Sequence, residues 1–215
     1  KKNKIFYKNI FFPDSKLNYA ENLLPKKNEE IAINFLSESG IEKKITWKKL
    51  YENVCKFSHF LKKINVKDKD RVAAYVPNTI ETITSFLAIS KNGLIWSSCS
   101  PDFGSQGVID RFLQIKPKIL ITSDYYFYNG KKINILEKIP EILKKIKSIK
   151  KVIVFPYSGQ FEKKINPKYI DFNSIIKNSK IDLTFKKFSF NHPLYILYSS
   201  GTTGIPKCIT HGAGN

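Results

Sequence analysis

Apolar residues recur along this chain in two rhythms. From Thr46 to about Ile64 they fall on one helical face, with Leu50, Val54, Phe57, Phe60 and Leu61 spaced four, three, three and one apart. That spacing predicts an amphipathic helix, and Thr46 is placed to cap it. A second helix is predicted from Thr79 to a stop at Asn92-Gly93, with Ile80, Ile83, Phe86, Leu87 and Ser90 turned inward. A third runs from Phe103-Gly104 to about Ile115, closed by Pro117. A fourth spans about Ile133 to Ile146, after a polar turn at Asn129-Gly130, and a short fifth lies around Phe172 to Lys177. The second rhythm is the short apolar run bounded by turn residues: Ala32–Leu36 with a return at Lys44–Thr46, Arg71–Val76, Leu94–Ser98, Lys118–Thr122, Lys151–Phe155 and Leu194–Tyr198. These read as strands. From Lys1 to about Pro25 the chain is aromatic and irregular, a strap with one short helix at Asn18–Leu24.

Strand and helix alternate through most of the length. That pattern predicts an α/β fold: a mostly parallel sheet flanked by helices on both faces, with right-handed crossovers. In such sheets ligands sit outside the carboxyl ends of the strands. The last strand runs straight into Ser199-Ser200-Gly201-Thr202-Thr203-Gly204-Ile205-Pro206-Lys207. Glycines let backbone come close to a ligand, and successive N–H groups in such a turn form an anion-binding nest. Four hydroxyls add neutral donors, Pro206 stiffens the segment, and Lys207 adds a mobile point charge suited to phosphate. The spacing is not that of a Walker A loop, because Gly201 and Gly204 are three apart and Cys208 follows the lysine. G-x-G-x-x-G and G-x-S-x-G are also absent. The plain alternative is an ordinary connecting loop, which seldom gathers this set of residues.

Composition changes this picture little. With 215 residues, 42% hydrophobic and 13% aromatic, the chain supports one sizeable core. The net charge of +19 raises a remote alternative, a basic nucleic-acid-binding module. All but two of the 37 basic residues are lysines, however, scattered in pairs such as Lys48-Lys49 and Lys144-Lys145. Base readout favours the arginine fork, and joint richness in Lys, Asn and Ile is what AT-rich codons produce, so the lysines read as solvated faces. Cys55, Cys99 and Cys208 are odd in number and far apart, with neither disulfide nor metal spacing. That fits a reducing, cytoplasmic setting with no resident metal site. No apolar run is long enough to span a bilayer, so neither a membrane nor a specific nucleic acid is expected as a partner.

YSSGTTGIPK resembles the phosphate-binding loop of the adenylate-forming enzymes, a superfamily of acyl-CoA synthetases, peptide-synthetase adenylation domains and luciferases. FFPDSKLNYAENLL resembles the N-terminal segment of its acetyl- and acetoacetyl-CoA synthetase branch. IWSSCSPDFG, with Asp110-Arg111-Phe112 after it, and FNHPLYILYSSGTTGIPKCITHGAG are similar to the acetoacetyl-CoA synthetases. The resemblance covers essentially all of the chain. It implies a leader over 1–30 and an AMP-binding (adenylation) domain over 31–215, incomplete at its C-terminus. It implies ATP-dependent conversion of acetoacetate to acetoacetyl-CoA through an acyl-adenylate, with ATP, Mg2+ and CoA as substrates or cofactor. Another short-chain acyl-CoA ligase, for acetate or propionate, is the alternative. The family's adenine, acyl, metal and C-terminal lysine motifs all follow the phosphate loop, so this stretch alone is expected to be inactive.

By the same resemblance Ser199, Ser200, Gly201, Thr202, Thr203 and Gly204 would wrap the β- and γ-phosphates, and Lys207 would neutralise the departing pyrophosphate as the catalytic residue. Gly130 and Lys131 stand where the acetate enzymes carry a basic CoA contact; a solvent-facing turn is the other reading. Asp110 and Arg111 are expected to form a structural salt bridge, and His211 an orienting hydrogen bond. His59 and His192 are expected to be structural, with Trp96, Cys99 and Phe103 packing the core or the wall near the sheet's carboxyl edge.

Overall fold

The computed structural model describes residues 12–199, 204 and 206–214. In chain order the elements are β1 (Lys16–Leu17), α1 (Tyr19–Asn22), β2 (Ile31–Leu36), β3 (Glu42–Thr46), α2 (Trp47–Lys63), β4 (Arg71–Tyr75), α3 (Ile80–Lys91), β5 (Ile95–Cys99), α4 (Ser105–Ile115) and β6 (Ile119–Ser123). There follow β7 (Tyr125–Tyr128), β8 (Lys131–Asn134), α5 (Ile139–Lys145), β9 (Lys151–Phe155), β10 (Ile170–Asp171), α6 (Phe172–Asn178), β11 (Phe188–Ser189), β12 (Pro193–Ser199) and β13 (Lys207–Gly212).

The central sheet has seven strands in the order β10-β9-β6-β4-β5-β12-β13, parallel throughout except that β13 returns antiparallel along β12. Strand side chains alternate between two cores. Val72, Ala74 and Val76 face a core closed by α1, α2, α3 and α6, whereas Ala73 and Tyr75 face a second core closed by α4 and α5. Burial on both faces is why β4 and β6 read as unbroken apolar runs. The step from β4 to β5 uses α3 on the first face. The steps back from β5 to β6 and on to β9 use α4 and α5 on the second, as a single crossover hand demands. The direction of winding therefore reverses at β4, and a crevice opens at its carboxyl end.

The caps are where local chemistry puts them. Thr46 accepts from the Lys49 N–H to start α2, and Thr79 accepts from the Thr82 N–H to start α3. Asn18 caps α1 and its Nδ2 also donates to the carbonyls of Lys91 (3.0 Å) and Lys186 (2.8 Å), stapling the opening strap to the body.

Three expectations need correction. No single helix spans 133–146: Asn129 and Gly130, with φ of 50° and 72°, form a tight turn that folds β7 onto β8. A 3-10 turn follows at Leu136–Lys138, and α5 begins only at Ile139, with Pro140 in its first turn. Ile83 is 40% exposed rather than inward. Helix α3 buries Thr84, Ser85, Leu87, Ala88, Ile89 and Lys91 between α2 and the sheet, so its buried surface is far broader than one stripe. Finally, β13 pairs where only a loop and a tail were expected.

Candidate active site

The carboxyl rim is held rigid by side chains from the strands themselves. The Tyr75 hydroxyl, at the end of β4, lies 2.6 Å from the Phe103 carbonyl and 3.0 Å from that of Pro101, and accepts from Lys138 Nζ at 3.2 Å. Burial, with help from nearby Cys99 and Asp102, pushes its phenol up to about 12, so it stays a neutral donor. Asp102 accepts from the Tyr126 hydroxyl (2.8 Å) and the Ser100 hydroxyl (2.7 Å), which fixes the loop after β5. Between the ends of β4 and β5, at the winding reversal, is a crevice of about 140 Å³ lined by Val76, Pro77, Asn78, Thr82, Cys99 and Ser100. Burial raises the Cys99 thiol to about 12, so it packs as an inert wall group. Trp96 is buried against Phe86, with ring centroids 5.8 Å apart.

Strand β12 lies next to β5 and parallel to it, so its end reaches the same rim. Ser97 Oγ donates to the Ile196 carbonyl (2.9 Å) and lies 2.9 Å from the Tyr198 hydroxyl, tying the two strands together. The register then pairs Tyr198 with Cys208 and Ser199 with Lys207. Cross-strand partners share a face, so Ser199 and the exposed Lys207 stand side by side at the base of the loop. Gly204 sits in that loop at φ 137°, with open space where a Cβ would be. From the other face Gln114 of α4 donates to the Pro206 carbonyl at 2.9 Å and anchors the loop's far leg. Ser200, Gly201, Thr202 and Thr203 lie outside the described residues.

Arg111 makes no pair with Asp110. Neighbours on a helix point about a hundred degrees apart, so the two cannot face each other. Its guanidinium instead packs over Phe103 (4.2 Å) and Tyr198 (5.8 Å) and donates to the Gly107 carbonyl, while Asp110 accepts from Gln106. His211 stacks on Tyr195, with centroids 5.0 Å apart, and makes no side-chain hydrogen bond among the described residues. His192 is structural: it stacks on Phe188, and its Nε2 lies 2.9 Å from the Gly93 carbonyl.

Gly130 and Lys131 are at the tip of the β7–β8 hairpin. The N–H groups of Asn129 and Gly130 both donate to the Glu38 carboxylate, at 3.1 and 3.0 Å. The tip is thus a working carboxylate acceptor site, built by positive-φ backbone rather than by lysine. A larger cleft of about 450 Å³ lies beside it, where Lys132 sits 3.9 Å over the Tyr125 ring and pairs with Glu162. Nearby, Asp124 Oδ1 accepts from the N–H groups of Tyr125 and Tyr157, each at 2.8 Å, and joins the ends of β6 and β9. Burial raises its carboxyl pKa, and those N–H bonds oppose the rise. Sequence reasoning missed Tyr75, Gln114 and Glu38. Tyr75 is hidden in an apolar run, and the other two gain meaning only through partners about 90 positions away.

A doubly wound parallel sheet with a glycine-hydroxyl loop leaving its carboxyl rim defines an α/β module of the nucleotide-binding kind. The family model "AMP-binding enzyme" matches residues 22–215, and the chain belongs to that family. It is 44% identical to an acetoacetyl-CoA synthetase from Xenopus tropicalis and 42% identical to an acetoacetyl-coenzyme A synthetase from Rhizobium meliloti, in each case over 95% of this chain and 32% of the relative. Among solved structures, acetoacetyl-CoA synthetase from Streptomyces lividans superposes with a TM-score of 0.88 at 32% identity, again over 95% of this chain and 32% of the other. The chain therefore spans about a third of the length of the relatives it matches. Among the described residues, no group of three or more His, Cys, Asp or Glu is placed to hold a metal ion, and no helix is long and apolar enough to cross a membrane.

Proposed function

We infer that this chain carries the triphosphate-binding part of an AMP-forming acid–thiol ligase, whose intact form converts acetoacetate to acetoacetyl-CoA. Residues 1–30 serve as its leader and 31–215 as part of its adenylation domain. A carboxylate oxygen attacks the α-phosphorus of ATP, the α–β bridging P–O bond breaks, and pyrophosphate leaves. The sulfur of coenzyme A then attacks the acyl carbon, the bond to AMP breaks, and the thiol proton is released.

Two anions meet in the first step, so donors preorganised around the phosphates lower its barrier. Ser199, Ser200, Gly201, Thr202, Thr203 and Gly204 cradle the β- and γ-phosphates, and Lys207 offsets the charge growing on pyrophosphate. Magnesium would come bound to ATP, because no group of three or more His, Cys, Asp or Glu among the described residues is placed to hold it. Gly130 and Lys131 contact the nucleotide end of coenzyme A. The partners are small molecules, and the free thiols suit a cytoplasmic setting.

The observation that carries this reading is the pairing of Ser199 with Lys207 at the rim end of β12, beside β5. ATP–pyrophosphate exchange by the intact protein tests it, with acetoacetate, acetate and propionate offered in turn. Exchange driven best by acetoacetate is expected. Exchange driven best by another acid removes the acyl assignment and leaves adenylation standing, whereas no exchange with any acid overturns the reading.

A further inference from the structure

A further concave surface lies away from the carboxyl rim, at the amino end of β9. It is a groove of about 360 Å³ between α5, the start of β9 and the loop before β10. Leu143, Ile149 and Tyr169 form its apolar floor, and Lys150, Lys151 and Lys168 stand around it. The walls are preformed. The Lys150 N–H donates to the Lys118 carbonyl (2.8 Å) and the Ile149 N–H to the Ile146 carbonyl (3.2 Å). On the other wall, Asn166 takes the N–H groups of Lys168 and Tyr169, through its side chain and its carbonyl, both at 2.9 Å. Binding there would order little backbone.

The charge around this groove is one-sided. Residues 141–170 hold eight lysines against two glutamates, Glu141 and Glu162, and Glu162 already pairs with Lys132. Among the described residues, ion pairs engage Lys26, Lys43, Lys44, Lys48, Lys62, Lys91, Lys118, Lys132, Lys186 and Lys187, yet none engages the three rim lysines. Lys150 Nζ turns instead to the Lys147 carbonyl at 3.1 Å.

We propose that this groove docks an acidic peptide segment of a partner protein, with one bulky apolar side chain on the Leu143–Ile149–Tyr169 floor and carboxylates against Lys150, Lys151 and Lys168. The concave apolar floor sets this occupant apart from a bilayer, which needs a flat or convex face. It also sets it apart from a nucleic acid, whose phosphates use cations and gain nothing from an aliphatic floor. Preformed walls supply shape, unpaired lysines supply steering, and the apolar anchor supplies most of the affinity.

The test uses the intact protein and a short labelled peptide with a central Leu-Phe flanked by glutamates, read by fluorescence anisotropy at physiological salt. Saturable binding is expected. It should fall about tenfold in the Lys150→Glu/Lys168→Glu double variant, as two rim charges of modest worth predict. It should vanish when Leu-Phe is replaced by Ser-Ser. Both lysines are on the surface and outside the proposed catalytic machinery, so thermal melting and pyrophosphate exchange should be unchanged. A Leu143→Ser variant probes the floor separately. Equal binding of the Ser-Ser peptide, indifference to the charge reversal, or displacement of the peptide by phosphatidylserine vesicles or oligothymidylate would each overturn the proposal.

Discussion

Changing Asp182 to Asn tests how the long connection from α6 to β12 is held, and so how the strand that delivers the loop is positioned. Asp182 is mostly buried and pairs with Lys62 (2.6 Å) and with the fully buried Lys91 (3.4 Å); its other oxygen accepts the Thr184 N–H (3.1 Å). Lys91 Nζ also donates to the Thr184 carbonyl (2.8 Å) and to Ser58, and faces the Phe185 ring at 4.6 Å. Burial by itself would raise the Asp182 pKa, but the Lys62 hydrogen bond, the Thr184 N–H and the Lys91 charge outweigh it and hold the carboxyl at about 2. Burial pulls the Lys91 ammonium below the ordinary lysine range, and Asp182 offsets part of that.

Set against an ordinary value of 3.8, a depressed carboxyl of this kind is worth about 2 kcal/mol, or roughly 30-fold in an opening equilibrium. Because the folded value lies below the unfolded one, this stability is fully present above pH ~4 and is lost as pH falls through about 2. Hydrogen-exchange mass spectrometry of the intact protein at neutral pH reads it directly. The peptide covering 179–187 should exchange roughly 30-fold faster in Asp182→Asn. Lys62→Ala, which removes a half-exposed partner, should change it by less than about fivefold. Unchanged exchange across 179–187 in Asp182→Asn would refute the clamp.

Gly204→Ala puts a Cβ into open space at φ 137°, so the cost of about 1–3 kcal/mol is conformational. Pyrophosphate exchange should fall about tenfold with a melting temperature lowered by no more than a few degrees, and exchange at the parent rate would count against a shaped loop. Glu38→Ala frees the Asn129 and Gly130 N–H groups. If the hairpin tip receives coenzyme A, its KM should drop about threefold to tenfold with adenylation unchanged; a rise in KM would mean that Glu38 only supports the turn.

The parallel sheet was legible because its strands are buried on both faces and leave unbroken apolar runs, as in Arg71–Val76 and Lys151–Phe155. The helix starts at Thr46 and Thr79 were legible because capping is local. What failed was set by distant partners. The run from 133 to 146 has helical composition, yet its first residues pair with β7 because the Asn129-Gly130 turn reverses the chain there. Ile83 looked inward because a one-sided stripe was assumed for a helix packed on more than one side. Strand β13 is mostly exposed and gave no periodic signal; it pairs because β12 offers an edge. The position of the loop was readable from motif and strand together, whereas the Tyr75, Arg111 and Gln114 contacts that brace its surroundings were not.

The most direct measurement is ATP–pyrophosphate exchange by the intact protein carrying Lys207→Ala, with acetoacetate as the acid. Loss of one charge-stabilising contact at the leaving pyrophosphate predicts a fall of roughly 10- to 1000-fold with unchanged folding. Exchange at the parent rate would contradict the placement of the triphosphate at the end of β12.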